Sequence, residues 1–449
     1  MSAADYPEMN RRHFLRHLAG MAGLTLPAMQ FIHTLRAAEP QLKKQNKSLI
    51  ILWMGGGPSH LDLWDLKPGQ PTGGEFKPIK TSADGIEISE LLPTVAEQMK
   101  HLSIIRSLHS GEADHNRGTL VMNTGRTPNP VVQYPAMGAV ASSLLTSKEL
   151  ALPGFIGIGG TAQRIGPGFL GNAFAPFTVQ NPGQPPANIR PPQGLGPEDP
   201  SGRLSVELEE RLRRRQRLFY TLEDHFSETL FPHLPEKERE KTDESSGAHR
   251  ATYEKAFRLT VSTLRAVFEV RNEPLKVREM YGGDRNSFGM GCLLARRLVE
   301  KGVTCVEVDL GGWDNHNNIF PALRNGNGPR LDKGMGALVQ DLVDRGMWQN
   351  TVVLWMGDFG RTPRINPNAG RDHWARGWSV VLGGGAIKGG YVHGATTADG
   401  MDIKDGRVGV GDLFATVYKG LGLEPDTKIR DNLGRPLPIA DGKPIPGLV

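Results

Sequence analysis

Four short runs of the chain are almost continuously apolar: Leu49 to Met54 ("LIILWM"), Val303 to Leu310 ("VTCVEVDL"), Thr351 to Met356 ("TVVLWM") and Trp378 to Leu382 ("WSVVL"). Runs of that length predict strands buried on both faces, the pattern of a mostly parallel sheet covered by helices. Helical periodicity fits between them, over Leu91 to Met99 and over Ser287 to Glu300, where a Gly302 turn leads straight into the next strand. The predicted class is α/β, with a mostly parallel central sheet flanked by helices. In open parallel sheets ligands gather outside the carboxyl ends of the strands, so the polar residues that follow each run are the ones to inspect.

The strand–helix alternation is interrupted once. A Pro/Gly-rich loop, "QPPANIRPPQGLGPEDP", leads into two charged helical patterns, about 204–230 and 248–270, separated by "PEKEREKTDESSG". Because the alternation resumes afterwards, residues 200–275 read as a helical insertion or cap on one α/β domain spanning 45–445. The dense basic run Arg211 to Arg217 follows Glu207, Glu209 and Glu210 on the same helix, which makes it a solvated charged face and no nucleic-acid surface.

Residues 1–38 have a different character. Arg11-Arg12-His13-Phe14-Leu15-Arg16 precedes an apolar Gly/Ala-rich stretch that ends in Ala37-Ala38, the pattern of a twin-arginine export signal. Arg36 or Leu35 would occupy the −3 position of a cleavage there, a poor match to the small residues a peptidase wants. Of the formal charge of +5, the leader carries +2. No later stretch is long and apolar enough for a membrane helix, so the expected location is periplasmic, reached through the twin-arginine machinery. Only Cys292 and Cys305 are present, both among apolar neighbours, which excludes a disulfide framework and predicts buried free thiols.

The first strand runs into "GGGPSHLDLWD", which lacks the Gly-Lys-Ser/Thr of a phosphate loop, the Gly-x-Gly-x-x-Gly of a dinucleotide fold and the Gly-x-Ser-x-Gly of a nucleophile turn. It leaves a strand end bearing His60, Asp62 and Asp65. The other strand ends repeat the theme: Asp314 and His316 in "GGWDNHNN", Asp358 in "GDFGRTP", Asp372 and His373 in "GRDHWARGW". Carboxylates and imidazoles recurring at one edge of a sheet predict a mixed N/O metal site.

The order of these pieces resembles the alkaline phosphatase and sulfatase superfamily. "DHNRGTLVMNTGR" (Asp114 to Arg126) is similar to the segment that carries the nucleophile there, and "VVLWMGDFGRTP", "HWARGWSVVLGGG" and "VGVGDLFATVYKGLGLEPD" are similar to its later metal-binding strand ends and helix. With the leader, "GGPSHLDLWDLKPG" and "GWDNHNN", the chain most resembles a large sulfatase-like family of exported bacterial proteins. The resemblance implies a divalent metal, Zn²⁺ first with Mn²⁺ or Ca²⁺ as alternatives, at one or two sites. It also implies an anionic ester substrate, carbohydrate-linked esters among the candidates.

One departure is informative. Where phosphatases place Ser or Thr and sulfatases the Cys that becomes formylglycine, this chain has His115. Formylglycine chemistry is therefore excluded. His115 ranks as a metal ligand first and a nucleophile second. The expected ligands are Asp314, His316, Asp358 and His373, joined by His115 and Asp62, with Asp372 as ligand or as orienter of one. Arg361 and Arg117 are the candidates for pairing with the substrate's phosphate or sulfate oxygens. The competing class is a non-catalytic envelope or glycan-binding protein that keeps the fold and a structural metal. Replacing Arg11 and Arg12 by Lys should hold the protein in the cytoplasm, as fractionation of expressing cells would show; normal periplasmic arrival of that variant would remove the twin-arginine assignment.

Overall fold

The computed structural model describes residues 47–147, 149–184, 186, 205–233 and 263–449. All four apolar runs lie at the centre of one nine-stranded sheet. Its strands are β1 (Ser48–Met54), β2 (Leu102–His109), β3 (Phe155–Ile158), β4 (Phe177–Val179), β5 (Cys305–Leu310), β6 (Thr351–Gly357), β7 (Trp378–Gly383), β8 (Tyr391–His393) and β9 (Val408–Gly409). Their spatial order is β8-β2-β7-β6-β1-β5-β3-β4, with β9 following β8 along the edge of β2. β1 lies in parallel register between β5 and β6, pairing Trp53 with Asp309 on one side and with Met356 on the other. Only β7 is reversed, antiparallel to both β2 and β6, while the remaining pairings in the sheet are parallel.

The alternation of β1 divides the core into two layers. Ile50, Leu52 and Met54 pack with helices Ser287–Glu300 and Gly328–Asp344, and Leu49, Ile51 and Trp53 pack with helices His115–Thr124, Met137–Leu145 and Val410–Gly420. Every residue of β1 and β6 is buried, as strands covered on both faces require. Cys292 and Cys305 are buried free thiols, and burial pushes both well above the ordinary thiol range.

The Ser287–Glu300 helix matches its predicted span. Leu91 to Met99 is shorter, a helix over Pro93–Gln98 that tightens into a 3-10 turn at Met99–His101. The first insertion helix is Val206–Leu230, and Leu208 and Leu212 are its buried anchors. Residues 248–262 of the second expected helix lie outside the described residues, as does the leader 1–38, and the described end of that helix forms 3-10 turns at Thr263–Phe268 and Val270–Asn272. No helix among the described residues is long and apolar enough to cross a membrane.

Candidate metal centre

Reversal of β7 decides where the chemistry collects. The polar residues after β1, β5 and β6 lie at the carboxyl edge of the parallel strands, and because β7 starts at that same edge, the His373 that precedes it arrives there too. Helix His115–Thr124 adds a fourth element. Its first turn is capped by Asp114, whose carboxylate accepts from the backbone N–H of Asn116 and Arg117, each at 3.0 Å. At Gly118 a Cβ would sit 3.0 Å from the Asp358 carbonyl oxygen, so the helix approaches the end of β6 closely enough for His115 to reach Asp358. Across the sheet Gly56 has φ of 107°, and a Cβ there would lie 2.7 Å from the backbone nitrogen of Asp314, so the turn after β1 tucks directly beneath the Asp314 loop.

Three imidazoles converge on Asp314. The Nε2 of His115 lies 3.4 Å from Oδ2 of that carboxylate, and the Nε2 atoms of His316 and His373 lie 3.0 and 3.2 Å from Oδ1. Each ring is fixed from behind through Nδ1: His115 by Asp358 at 2.6 Å, His316 by Asp372 at 2.7 Å, His373 by the Ala113 carbonyl at 2.7 Å. Carbonyls and ionised carboxylates only accept, so each Nδ1 carries the proton and each Nε2 of a neutral ring presents a lone pair. Phe359, fully buried, packs against the His115 and His373 rings at centroid separations of 4.8 and 4.5 Å.

That arrangement fits a divalent cation. Ligand atoms on a tetrahedron with metal bonds of about 2.0–2.1 Å lie roughly 3.3–3.4 Å apart, close to the 3.0–3.4 Å spacings observed around Asp314. The His115 Nε2 is buried with no hydrogen-bond partner. The Nε2 atoms of His316 and His373 face each other at 3.1 Å, lone pair to lone pair when neutral, an unfavourable contact that a shared cation turns into a favourable one. Imidazole and carboxylate donors form a mixed N/O set of the kind that takes a divalent ion.

Electrostatics support the same assignment. Partial burial would raise the Asp314 carboxyl, but the Arg361 hydrogen bond and charge outweigh it and hold the group far below the ordinary carboxylate range. The hydrogen bond from His316 likewise keeps Asp372 low. The Asp358 hydrogen bond raises His115 against the opposing effect of burial. Proton and metal would therefore compete for one nitrogen.

The family model described as "Protein of unknown function (DUF1501)" matches residues 46–449. The chain belongs to the DUF1501 family. No curated protein matches it. Among solved structures the DUF1501 chain is similar to the PsFucS1 sulfatase from Pseudoalteromonas sp. (TM-score 0.36, 11% identity, 88% of this chain and 72% of that one). It is similar too to the lipoteichoic acid synthase LtaP from Listeria monocytogenes (TM-score 0.34, 9% identity, 84% and 72%). A protein in the alkaline phosphatase superfamily from Vibrio parahaemolyticus is a third (TM-score 0.34, 13% identity, 84% and 66%).

Several residues of the DUF1501 chain take roles other than those its sequence suggests. Asp62 does not join the cluster: its side chain is fully buried and accepts from Arg371 at 2.7 and 3.2 Å and from Ser59 at 2.5 Å. His60 beside it is fully buried, and that burial lowers it to about 3, so it stays neutral. Arg117 points to the surface, where it pairs with Glu112 at 2.8 and 3.0 Å. Arg361 is fully buried and commits its donors within the protein, to the carbonyls of Gly57 (2.7 Å), Gly56 and Arg371 (3.0 Å) and to Asp314 (2.5 Å), which makes it a positioning residue for Asp314. Asp358 and Asp372 sit behind the histidines as orienters.

Two outcomes distinguish these roles. Asp62→Ala leaves the buried Arg371 unpaired and should cost about 3–5 kcal/mol in denaturant unfolding, while the folded protein retains full metal; loss of metal at unchanged stability would return Asp62 to the ligand set. Asp358→Asn and Asp372→Asn, which change the acceptor at a ring Nδ1, should each weaken metal affinity by about 10- to 100-fold in competition with a chelator; unchanged affinity would remove the orienting role.

Proposed function

We propose that this chain is an exported, metal-dependent hydrolase of phosphate or sulfate esters. One observation carries the reading: three pre-oriented imidazoles aim Nε2 at a single, partly exposed carboxylate. The twin-arginine pattern of the leader supports export, and the strand-end motifs support the ester class. His115, Asp314 and His373, whose ligand atoms all lie within 4.8 Å of one another, would hold the ion, with His316 in reach beside the last two. When bound, a divalent cation there supplies Lewis-acid polarisation of an ester oxygen and brings the pKa of water toward about 7.

The chain's own residues do the rest. Asp358 fixes the His115 ring and keeps its proton on Nδ1, so His115 acts as a ligand and its Nε2 is spoken for. A covalent histidine intermediate would need that same Nε2, and the ranking of ligand over nucleophile rests on this. Arg361 holds Asp314 ionised and in place. Beside the cluster lies a cavity of about 290 Å³ whose lining includes His115, Asp314, Asp358 and Thr119, close to the lower end of the size range of small-molecule sites, about 300 Å³. Thr119 stands one helical turn after His115, so its side chain lies on the same face and can position an ester oxygen.

Protein purified from the periplasm and loaded with Zn²⁺ should hydrolyse 4-nitrophenyl phosphate or 4-nitrophenyl sulfate, stop on chelation, and recover on metal return. His373→Ala should lose both metal and turnover. Stoichiometric metal with no turnover of either ester would overturn the hydrolase reading in favour of a metal-bearing binding protein.

A further inference from the structure

One indole reaches the cavity from the central strand. Trp53 is the last residue but one of β1, and β1 is flanked by the strands that lead to Asp314 and to Asp358. In register Trp53 stands opposite Asp309 of β5 on one side and Met356 of β6 on the other, each neighbour about 4.8 Å away. Its side chain packs on the face of the sheet that carries helix His115–Thr124, among Val121, Met122 and Phe359. Trp53 therefore lines the cavity together with His115, Thr119, Asp314 and Asp358.

Little of that ring is exposed, since Trp53 is 1% accessible, and the edge it turns to the cavity is the polar one. A Cβ added at Gly55, which also lines the cavity, would meet Nε1 of Trp53 first, at 3.5 Å, and Cδ1 next, at 3.8 Å. The N–H edge thus lies under the turn that leads to the metal centre. The Trp53 side chain makes no hydrogen bond among the described residues. Four other indoles, Trp64, Trp313, Trp355 and Trp378, have Nε1 sealed in the interior, where no ligand reaches it. That of Trp53 is not sealed, and the cavity is where it opens. Arg164 lines the cavity too, but it interacts with Glu307 and Asp309.

An indole N–H only donates, and a nine-tenths-buried donor with no internal partner, turned into a cavity, is completed by an acceptor on the ligand. The acceptor that suits it is an oxygen bearing negative charge, because such a hydrogen bond is charge-assisted. We propose that Trp53 is a substrate contact: its Nε1–H donates to a non-bridging oxygen of the phosphate or sulfate group while that group stands against the His/Asp cluster. The contact orients the ester without adding a positive charge to the cavity. The inference rests on the proposed ester-hydrolase reading and names a residue that reads the oxyanion itself.

Indole ¹H–¹⁵N spectra and calorimetric titration of the Zn²⁺-loaded protein, both with the non-hydrolysable probe phenylphosphonate, test it. Of the seven tryptophan signals, the one lost in Trp53→Phe belongs to Trp53, and in the wild type it should move downfield as the probe is added. Trp53→Phe should weaken phenylphosphonate binding about tenfold, as loss of a charge-assisted hydrogen bond implies, at unchanged metal stoichiometry. Because a phenyl ring also leaves space in the core, a second variant separates packing from hydrogen bonding: Trp53→β-(3-benzothienyl)alanine puts sulfur in place of the N–H in a ring of nearly the same shape, and should show the same loss. An unmoved Trp53 signal, or unchanged probe affinity in the benzothienyl variant, overturns the assignment while leaving the metal centre's reading intact. A metal-loaded wild type that binds no phenylphosphonate overturns both.

Discussion

The edge of the sheet is organised by one buried guanidinium. Arg361 is fully enclosed, and its donors reach the carbonyls of Gly56 and Gly57 after β1, the carbonyl of Arg371 before β7, and the carboxylate of Asp314 after β5. A buried charge of this kind costs several kcal/mol in lost hydration and persists only when its donors are satisfied. Satisfying them requires three loops that are distant in sequence to take one mutual arrangement. Arg371 repeats the device 10 residues along the chain, gripping Asp62 together with the carbonyls of Thr72, Thr362 and Pro363. Asp314 is thus placed by the same contact that closes the loops, and the cluster inherits its geometry from the fold's most expensive interactions.

Those two arginines also explain where sequence reasoning failed. A strand-end Asp in a Gly-rich turn and an Arg beside a strand-end Asp have the composition of ligand and substrate contact, and composition says nothing about which partner wins. Asp62 and Arg361 are engaged across 309 and 47 residues of chain, and that engagement is visible only once the loops are folded. The same limit applies to Asp358 and Asp372. Their presence at the edge was legible from the apolar runs that precede them, but their role behind the His115 and His316 rings depends on contacts 243 and 56 residues away.

What was legible had a strong local cause. Strands buried on both faces leave uninterrupted apolar runs, so the four central strands could be placed to within one or two residues and the residues after them could be singled out. The peripheral strands left weaker traces. β3 is four residues set among glycines, "GFIGIGG", and β2 carries polar Ser103, Arg106 and Ser107 within its eight residues.

The reversed strand gives the last step. In an all-parallel sheet the segment before a strand lies at the amino edge, away from the ligands, and a histidine there could not meet residues that follow other strands. β7 runs against its neighbours, so His373 stands with Asp314 and His316. Two rings then meet at 3.1 Å with both Nδ1 protons already committed to Asp372 and Ala113, so the neutral cluster carries a lone-pair repulsion that a shared cation would relieve. A divalent ion there would satisfy both rings and Asp314 together. Binding energy at such a centre would add to the stability of the fold that creates it, and the loops tied by Arg361 would be the ones to gain. A metal site there and the loop closure would in that sense form one cooperative unit: the guanidinium sets the geometry in advance, and a bound ion would relieve the contact that the geometry leaves.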